Sequence, residues 1–453
     1  MAKLTLTNLS SLVNEQSAIG VINSNNDRIE TALENTLSRD GTSPNNMNNL
    51  LDMNSNKIIN LVEPTSNTEP VRNGEFLLVK AGVDALVNSL RESMISEIGS
   101  RAAGEIAEFS ASVSYVRTSG YYEAGDKGGA LYKRVVSEPS HGGKFQSGDG
   151  AWWEIAEPIV NAKQFGAKGD GVTNDYTSLQ NAINFGFVYI PQGTYLINST
   201  LVIPNKGKIY GAGVEQTNIV SGVIGGSLFK TSVDTTFVVL CDMSLTGNNL
   251  TGSSGNGHAI NFIDPVSSGG TFSPQQAVLE RLRIKNFRGQ DIRRTGVATT
   301  IMSAGIIMYN ALQNICRDVY INDCGHGFYM EATQNCRILN CAVDDCDKYG
   351  LIAYNNENLV VAYCDFVVCG DGTVDSGYPS TSFGWGSATI LDYANQAFIF
   401  YGNKIKNNYA GTSLFRVFSS QSSVYDSNWI RPDSVTNVAH KGFYIQEAYS
   451  TRS

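Results

Sequence analysis

From Phe165 onward the chain alternates short apolar runs with polar, glycine-bearing turns, and the runs recur at a nearly fixed interval. Cys324, Cys346 and Cys369 stand 22 and 23 residues apart (346−324 and 369−346), and Cys341 and Cys364 repeat the longer step. Ile321, Val343 and Phe366 keep the same rhythm, and Gly327, Gly350 and Gly372 follow the successive segments. A constant period of this length signals a solenoid. It is too short for paired helices and the runs read as strands, so each repeat is one coil of a parallel β-helix with equivalent side chains stacked. The row resumes at Asn403, Ile405, Asn408 and Gly411 and extends back to Leu282, Ile284, Phe287 and Gly289, each time across a step longer than one coil. Loops are therefore expected near residues 289–303 and 371–386, the second reading DGTVDSGYPSTSFGWG. Long loops on a rigid scaffold commonly carry function.

The chain before residue 111 has a different rhythm. Leu12, Ile19, Ile22, Ile29 and Leu33 fall on a and d positions of a heptad, with Asn26 at an a position. This suits a short coiled coil whose asparagine fixes the register; an amphipathic helix packed on another surface fits the same positions equally well. A second helical pattern runs through Val83, Leu86, Leu90, Met94 and Ile98 and ends near Gly104. Such segments bury little core alone, so residues 1–110 are expected to need copies of themselves or a docking partner. Residues 111–158 read as a small β-rich unit, with Trp152 and Trp153 anchoring its core. Residues 159–430 are the solenoid and residues 431–453 a short tail. The expected fold is mainly β: a right-handed parallel β-helix preceded by an N-terminal helical or coiled-coil region and a small β-rich domain.

FGAKGDGVTND, from Phe165 to Asp175, lacks the GxxxxGK[ST] spacing of a phosphate loop and the oxygen spacing of an EF-hand. Its glycines permit tight turns, Thr173, Asn174 and Asp175 sit where helix N-caps sit, and YTSLQNAINFG follows as a helix. It reads as a turn and helix that close the open end of the first coil.

Charge and cysteine usage narrow the function. The net charge of −9 comes without a basic stripe, which argues against a nucleic-acid partner. No apolar run reaches the roughly 18 residues of a membrane span. MAKLTLTNLSSLVNEQ lacks the basic start and apolar block of a secretion signal. Of the 8 cysteines, all but Cys241 lie between Cys316 and Cys369; they form no CxxC pair, and the chain has only 4 histidines. Reduced thiols acting as small apolar residues in interior ladders are expected, not zinc ligands. No cofactor is indicated; a divalent cation is compatible with the acids but not specified by them.

Candidate chemistry lies among acids on the coil surface. Asp323 and Asp345 are one coil apart and in register, so one pKa is expected to rise unless a cation intervenes. Asp347, Asp371 and Asp375 fall near the same edge, and Tyr378, Phe383 and Trp385 of the second loop offer rings for sugar stacking. Glycosidases use two carboxylates, and lyases a base, often with a bound cation. The candidate catalytic residues are Asp345 as the acid of raised pKa and Asp371 as its ionised partner, with Asp323 and Asp347. The candidate substrate contacts are Trp385, Tyr378, Phe383 and Asp375. The competing reading makes the aspartates turn residues and the aromatics packing at the loop base.

NAKQFGAKGDGVTNDYTSLQNAI and VYIPQGTY, between Asn161 and Tyr195, closely resemble the start of pectate-lyase-like β-helix domains. ALENTLSRDGTSPNNMNNLLDMNSNKIINLVEPTSNTEPV, with YVRTSGYYEAGDKGGALYKRV and GKFQSGDGAWWEI, resembles the virion-attachment regions of podophage tail fibres and tailspikes. The resemblance implies a homotrimer made in the bacterial host cytoplasm. It would be held to tail or adaptor proteins of the virion by its N-terminal region and would recognise a host surface polysaccharide. The short stretch after the β-helix departs from tailspikes that carry a large C-terminal trimerisation domain. The fold serves lyases, hydrolases and plain binders, so depolymerisation of the glycan stays open. The alternatives are a non-enzymatic adaptor fibre carrying another receptor-binding protein, and a secreted polysaccharide lyase, which the N-terminal sequence disfavours.

Overall fold

The computed structural model describes residues 15–34, 79–87, 96–232, 234–263, 274–294, 297–369, 388–407, 413–418, 420–432 and 443–446. The chain divides into two units, residues 1–87 and 88–453.

In the first unit Glu15–Glu34 form a helix, and residues 79–87 a second. On the first helix Ala18 is buried and Val21, Asn25 and Ile29 are half-buried, one stripe at helical spacing. Ile19 and Ile22 of the expected seam are 56% and 48% exposed. On the second helix Val83 and Leu86 are likewise exposed. Leu12, Leu90 and Met94 lie outside the described residues.

The helical pattern expected to run to Gly104 does not reach it unbroken. Ile98 lies on a strand, Ser96–Ile98, which pairs in parallel with Tyr115–Thr118. A new helix, Arg101–Ile106, starts at Ser100, whose Oγ accepts from the Ala103 N–H at 3.1 Å. That cap and the strand partner outcompete helical continuity. Gly104 is the packing point between them: a Cβ there would meet Ile98 Cδ1 at 2.8 Å and Phe145 Cε2 at 3.0 Å.

Strand Ser96–Ile98 opens a sheet of 5 strands, completed in spatial order by Tyr115–Thr118, Leu131–Val135, Trp152–Ile155 and Lys144–Gln146. Trp153, Tyr132 and Phe145 fill its core. The Trp153 and Phe145 rings stack at 6.1 Å, and Trp153 Nε1–H donates to Ser147 Oγ at 2.9 Å. Trp152 is half-buried, with Lys144 Nζ 5.7 Å from its ring centre.

The remainder is a parallel β-helix. Each regular coil supplies three strands: two in an 18-stranded sheet that bends around the coil and one in a 9-stranded sheet. Ile315–Arg317, Tyr320–Asn322 and His326–Glu331 make one coil. They pair with Arg337–Leu339, Ala342–Asp344 and Leu351–Tyr354 of the next. Ile284, Ile321, Val343, Phe366 and Ile405 form one interior ladder, and Leu279, Cys316, Ile338, Val361 and Phe400 another. Corners are turned by single left-handed residues in register, such as Asp318, Asn340 and Tyr363, or Gln313, Asn335 and Asn358. Asn and Asp dominate because their short polar side chains tolerate this conformation.

All 8 cysteines are buried and unbridged. Cys364 Sγ accepts from the Cys341 N–H at 3.4 Å, and Asn403 Oδ1 accepts from the Cys364 N–H at 2.8 Å. Thiol and carboxamide thus serve one ladder, each taking the backbone N–H of the coil before it. A second polar ladder runs through Thr333, Asn356 and Asn395. Asn356 Oδ1 accepts from Thr333 N, and Asn395 Oδ1 accepts from Asn356 N at 2.7 Å.

The end-closing role read from FGAKGDGVTND holds, but the helix has no side-chain hydrogen bond at its N-cap. Helix Tyr176–Phe185 buries Leu179, Ala182 and Ile183 in the core. Asp175 stands at the N-cap, but its carboxylate reaches back to accept from the Lys168 and Gly169 N–H groups at 2.7 and 2.9 Å. Thr173 and Asn174 belong to strand Asp170–Asn174. Gly166, Gly169 and Gly171 all take positive φ, which the turn requires.

The first expected loop is an antiparallel hairpin, Gln290–Arg294 with Val297–Met302; residues 371–386 lie outside the described residues. Register passes from Gly305 to Gly327 to Gly350 and then to Thr389, not from Gly289 or to Gly372, because both excursions enter before the coil's third strand.

Two tests follow from the core. A thiol reagent should label 8 cysteines after denaturation and almost none before it; rapid labelling of the native protein would contradict the ladder. Asp392 is buried, with Ser420 Oγ–H donating at 2.5 Å and the Tyr425 hydroxyl and Asn395 amide also donating to it. Burial outweighs these bonds and raises its pKa. A carboxyl raised in the folded state penalises folding once pH exceeds its unfolded value, and fully above the folded one. Asp392→Asn should therefore match or exceed the parent's melting temperature at neutral pH and lose that advantage below the usual carboxylate range.

Candidate functional site

The corner between the second and third strands gathers the surface acids. Asn286, Asp323, Asp345 and Val368 occupy one left-handed position on successive coils, with φ of 68, 52, 49 and 51°. The register of Asp323 with Asp345 thus has a conformational cause: the corner needs a residue that tolerates positive φ. Val368, β-branched, is the strained member.

Arg288 intervenes between the acids. Its Nη2 lies 3.2 Å from Asp323 Oδ1 and 3.3 Å from Asp347 Oδ1, so one guanidinium clamps carboxylates of adjacent coils. Its Nε–H is buried with no hydrogen-bond partner among the described residues. Asp344, the residue before Asp345, has its pKa raised. Partial burial is the main cause, and the Asp345 charge adds to it. Asp344 shares a hydrogen bond with Tyr320, over whose ring Arg283 sits at 5.7 Å.

Asp323, Asp345 and Asp347 thus meet at one corner. Asp371, Asp375, Tyr378, Phe383 and Trp385 lie outside the described residues. The hairpin Gln290–Met302 leaves here, before strand Ala304–Tyr309. Beside it the outer face of the 9-stranded sheet is also covered. Ile307, Tyr329, Ile352 and Leu391 alternate with inward residues yet form a second buried cluster with Tyr349. His326 is fully buried there, stacked on Tyr349 at 5.7 Å, and Tyr329 O–H donates to Glu331 at 2.8 Å.

Sequence reasoning missed Arg288, Asp344, Tyr320 and His326. Arg288 follows Phe287, itself in the ladder row, so its place at the corner was available from the register. The burial of His326 against Tyr349 was not, because alternation from the inward Phe328 and Met330 places it on their side of the strand. Among the described residues no three His, Cys, Asp or Glu side chains converge as a metal site. No described helix is long and apolar enough to cross a membrane.

The clamp can be tested directly. All three partners are partly exposed, so Arg288→Ala should cost no more than about 1 kcal/mol of stability in a urea titration. A loss of several kcal/mol would make the cluster a structural element.

Comparison with known proteins gives likenesses for the β-helix. A family model described as rhamnogalacturonase A/epimerase, pectate lyase-like, matches residues 159–375. The pre-neck appendage protein of Bacillus phage B103 is 29% identical over 188 residues, covering 38% of this chain and 20% of that protein. Its counterpart in Bacillus phage phi29 is 41% identical over 61 residues, covering 13% of this chain and 7% of that protein. The aligned regions are thus a minor part of these relatives. The enzymatically active domain of tailspike protein 2 from bacteriophage CBA120 superposes with a TM-score of 0.55 at 14% identity, covering 81% of this chain and 59% of that one. Residues 159–375 thus match a pectate-lyase-like family on a parallel β-helix, and the fold is similar to that of a phage tailspike domain.

Proposed function

We propose that this chain is a homotrimeric receptor-binding appendage of a phage tail, joined to the virion through residues 1–110 and contacting a host surface polysaccharide with its β-helix. The observation that carries the reading is the clamp corner, where Arg288 fixes Asp323 and Asp347 just before the hairpin Gln290–Met302 that the coil does not need for stacking. A partly exposed guanidinium beside fixed carboxylates offers donors and acceptors to a hydroxyl-rich ligand. The phage appendage relatives support the virion location, and the exposed Ile19 and Ile22 support a helix seam between copies.

Cleavage of the glycan is the second reading, favoured by Asp344. A carboxyl of raised pKa beside other carboxyls is the arrangement of a general acid. It would be active when protonated, so cleavage should fall as pH rises through its pKa.

The test uses polysaccharide purified from a strain the phage infects. The parent should retain it, Arg288→Ala should retain it at least about tenfold less, and fragments should be read by mass spectrometry. Unsaturated ends indicate elimination and saturated ends hydrolysis; Asp344→Asn should then stop cleavage while binding persists. Retention without fragments leaves a binder. Neither retention nor cleavage would leave an adaptor fibre.

A further inference from the structure

A second groove lies at a different corner, where the third strand of one coil passes into the first strand of the next. Gln334, Glu357 and Gln396 are parallel-bridged on three successive coils, forming one outward column. With Asn355 they line a cavity of about 260 Å³. Glu357 and Gln396 are exposed and Gln334 half-buried. None of their side chains is hydrogen-bonded to another described residue.

From this geometry we infer that the corner is a binding groove for neutral sugar units of an extended polysaccharide; the inference rests on the glycan reading above. The column repeats at the strand spacing of about 4.8 Å, close to the advance of an extended glycan chain per sugar. Carboxamides offer a donor and an acceptor from one group, as sugar hydroxyls require. The groove holds one carboxylate and no cation, which disfavours acidic sugars.

The column is also preorganised. Asn356, immediately before Glu357, and Asn395, immediately before Gln396, belong to the buried ladder. Asn356 Nδ2–H donates to Met330 O at 3.0 Å, and Asn395 Nδ2–H to Ala353 O at 2.8 Å. Left-handed Asn355 and Asn358 fix the backbone on either side of Glu357. A groove with its backbone already fixed loses little order on binding. The stacked rings of Tyr354 and Tyr393, 5.1 Å apart, end the strands that lead into it and give an apolar shoulder for a sugar's C–H face.

The experiment compares the full-length parent with a Gln334→Ala/Gln396→Ala double variant on an array of neutral and uronic-acid-bearing bacterial oligosaccharides. Oligomeric state and melting temperature are measured alongside. The parent should retain neutral glycans, and the double variant should bind them about tenfold less or weaker with assembly and melting unchanged. Glu357→Gln should preserve binding. Equal retention by parent and double variant overturns the groove while leaving the clamp corner standing. Loss of oligomeric state in the double variant overturns it in favour of an interface between copies. A parent that retains no glycan removes the glycan reading itself, and the groove with it.

Discussion

Everything in the β-helix depends on one constraint: parallel hydrogen bonding between coils forces each side chain to lie over its equivalent one coil away. Inside the barrel, a residue's neighbours along the axis are therefore its own kind or a close substitute. Apolar ladders meet this trivially. Polar residues meet it by satisfying backbone groups of the coil before them, which asparagine does with its oxygen and amide and which Cys364 approximates with its sulfur. The Cys341, Cys364 and Asn403 series shows the two solutions meeting in one ladder.

The same constraint governs how much the sequence could reveal. Period, interior ladders, buried thiols and the closing helix were legible because stacking converts three-dimensional neighbours into a fixed sequence step. The hairpin Gln290–Met302 was legible as a departure from that step. The helix expected through Ile98 was not, since Ser100 capping and the strand partner at Thr118 are decided outside the helical period. At the site, Asp323 and Asp345 were placed correctly in register, but their repetition was read as electrostatic when positive φ explains it. Arg288 and Asp344 escaped because charge pairing between coils depends on side-chain direction, which the step alone does not give.

Outward positions are freed from stacking like on like, and there the two corners diverge. At one, Arg288 joins acids from neighbouring coils into a mixed-charge cluster. At the other, a nearly uncharged carboxamide column stands on arches tied to the buried asparagine ladder. The two lie at opposite ends of the third strand, separated by an outer sheet face that is itself buried.

That separation bears on how such a fold serves a long ligand. A coil excursion can change length or composition without disturbing the hydrogen bonds that register its neighbours, so the clamp corner can change with little cost to the scaffold. The carboxamide corner cannot vary as freely. Its arches are set by Asn356 and Asn395, and removing either strands backbone groups in the barrel interior, which costs more than any surface contact returns. One corner is thus built for variation and the other for constancy. A polymer with repeating sugars presents the matching division: a distinctive linkage or substituent to be read once, and a monotonous run of hydroxyls to be held.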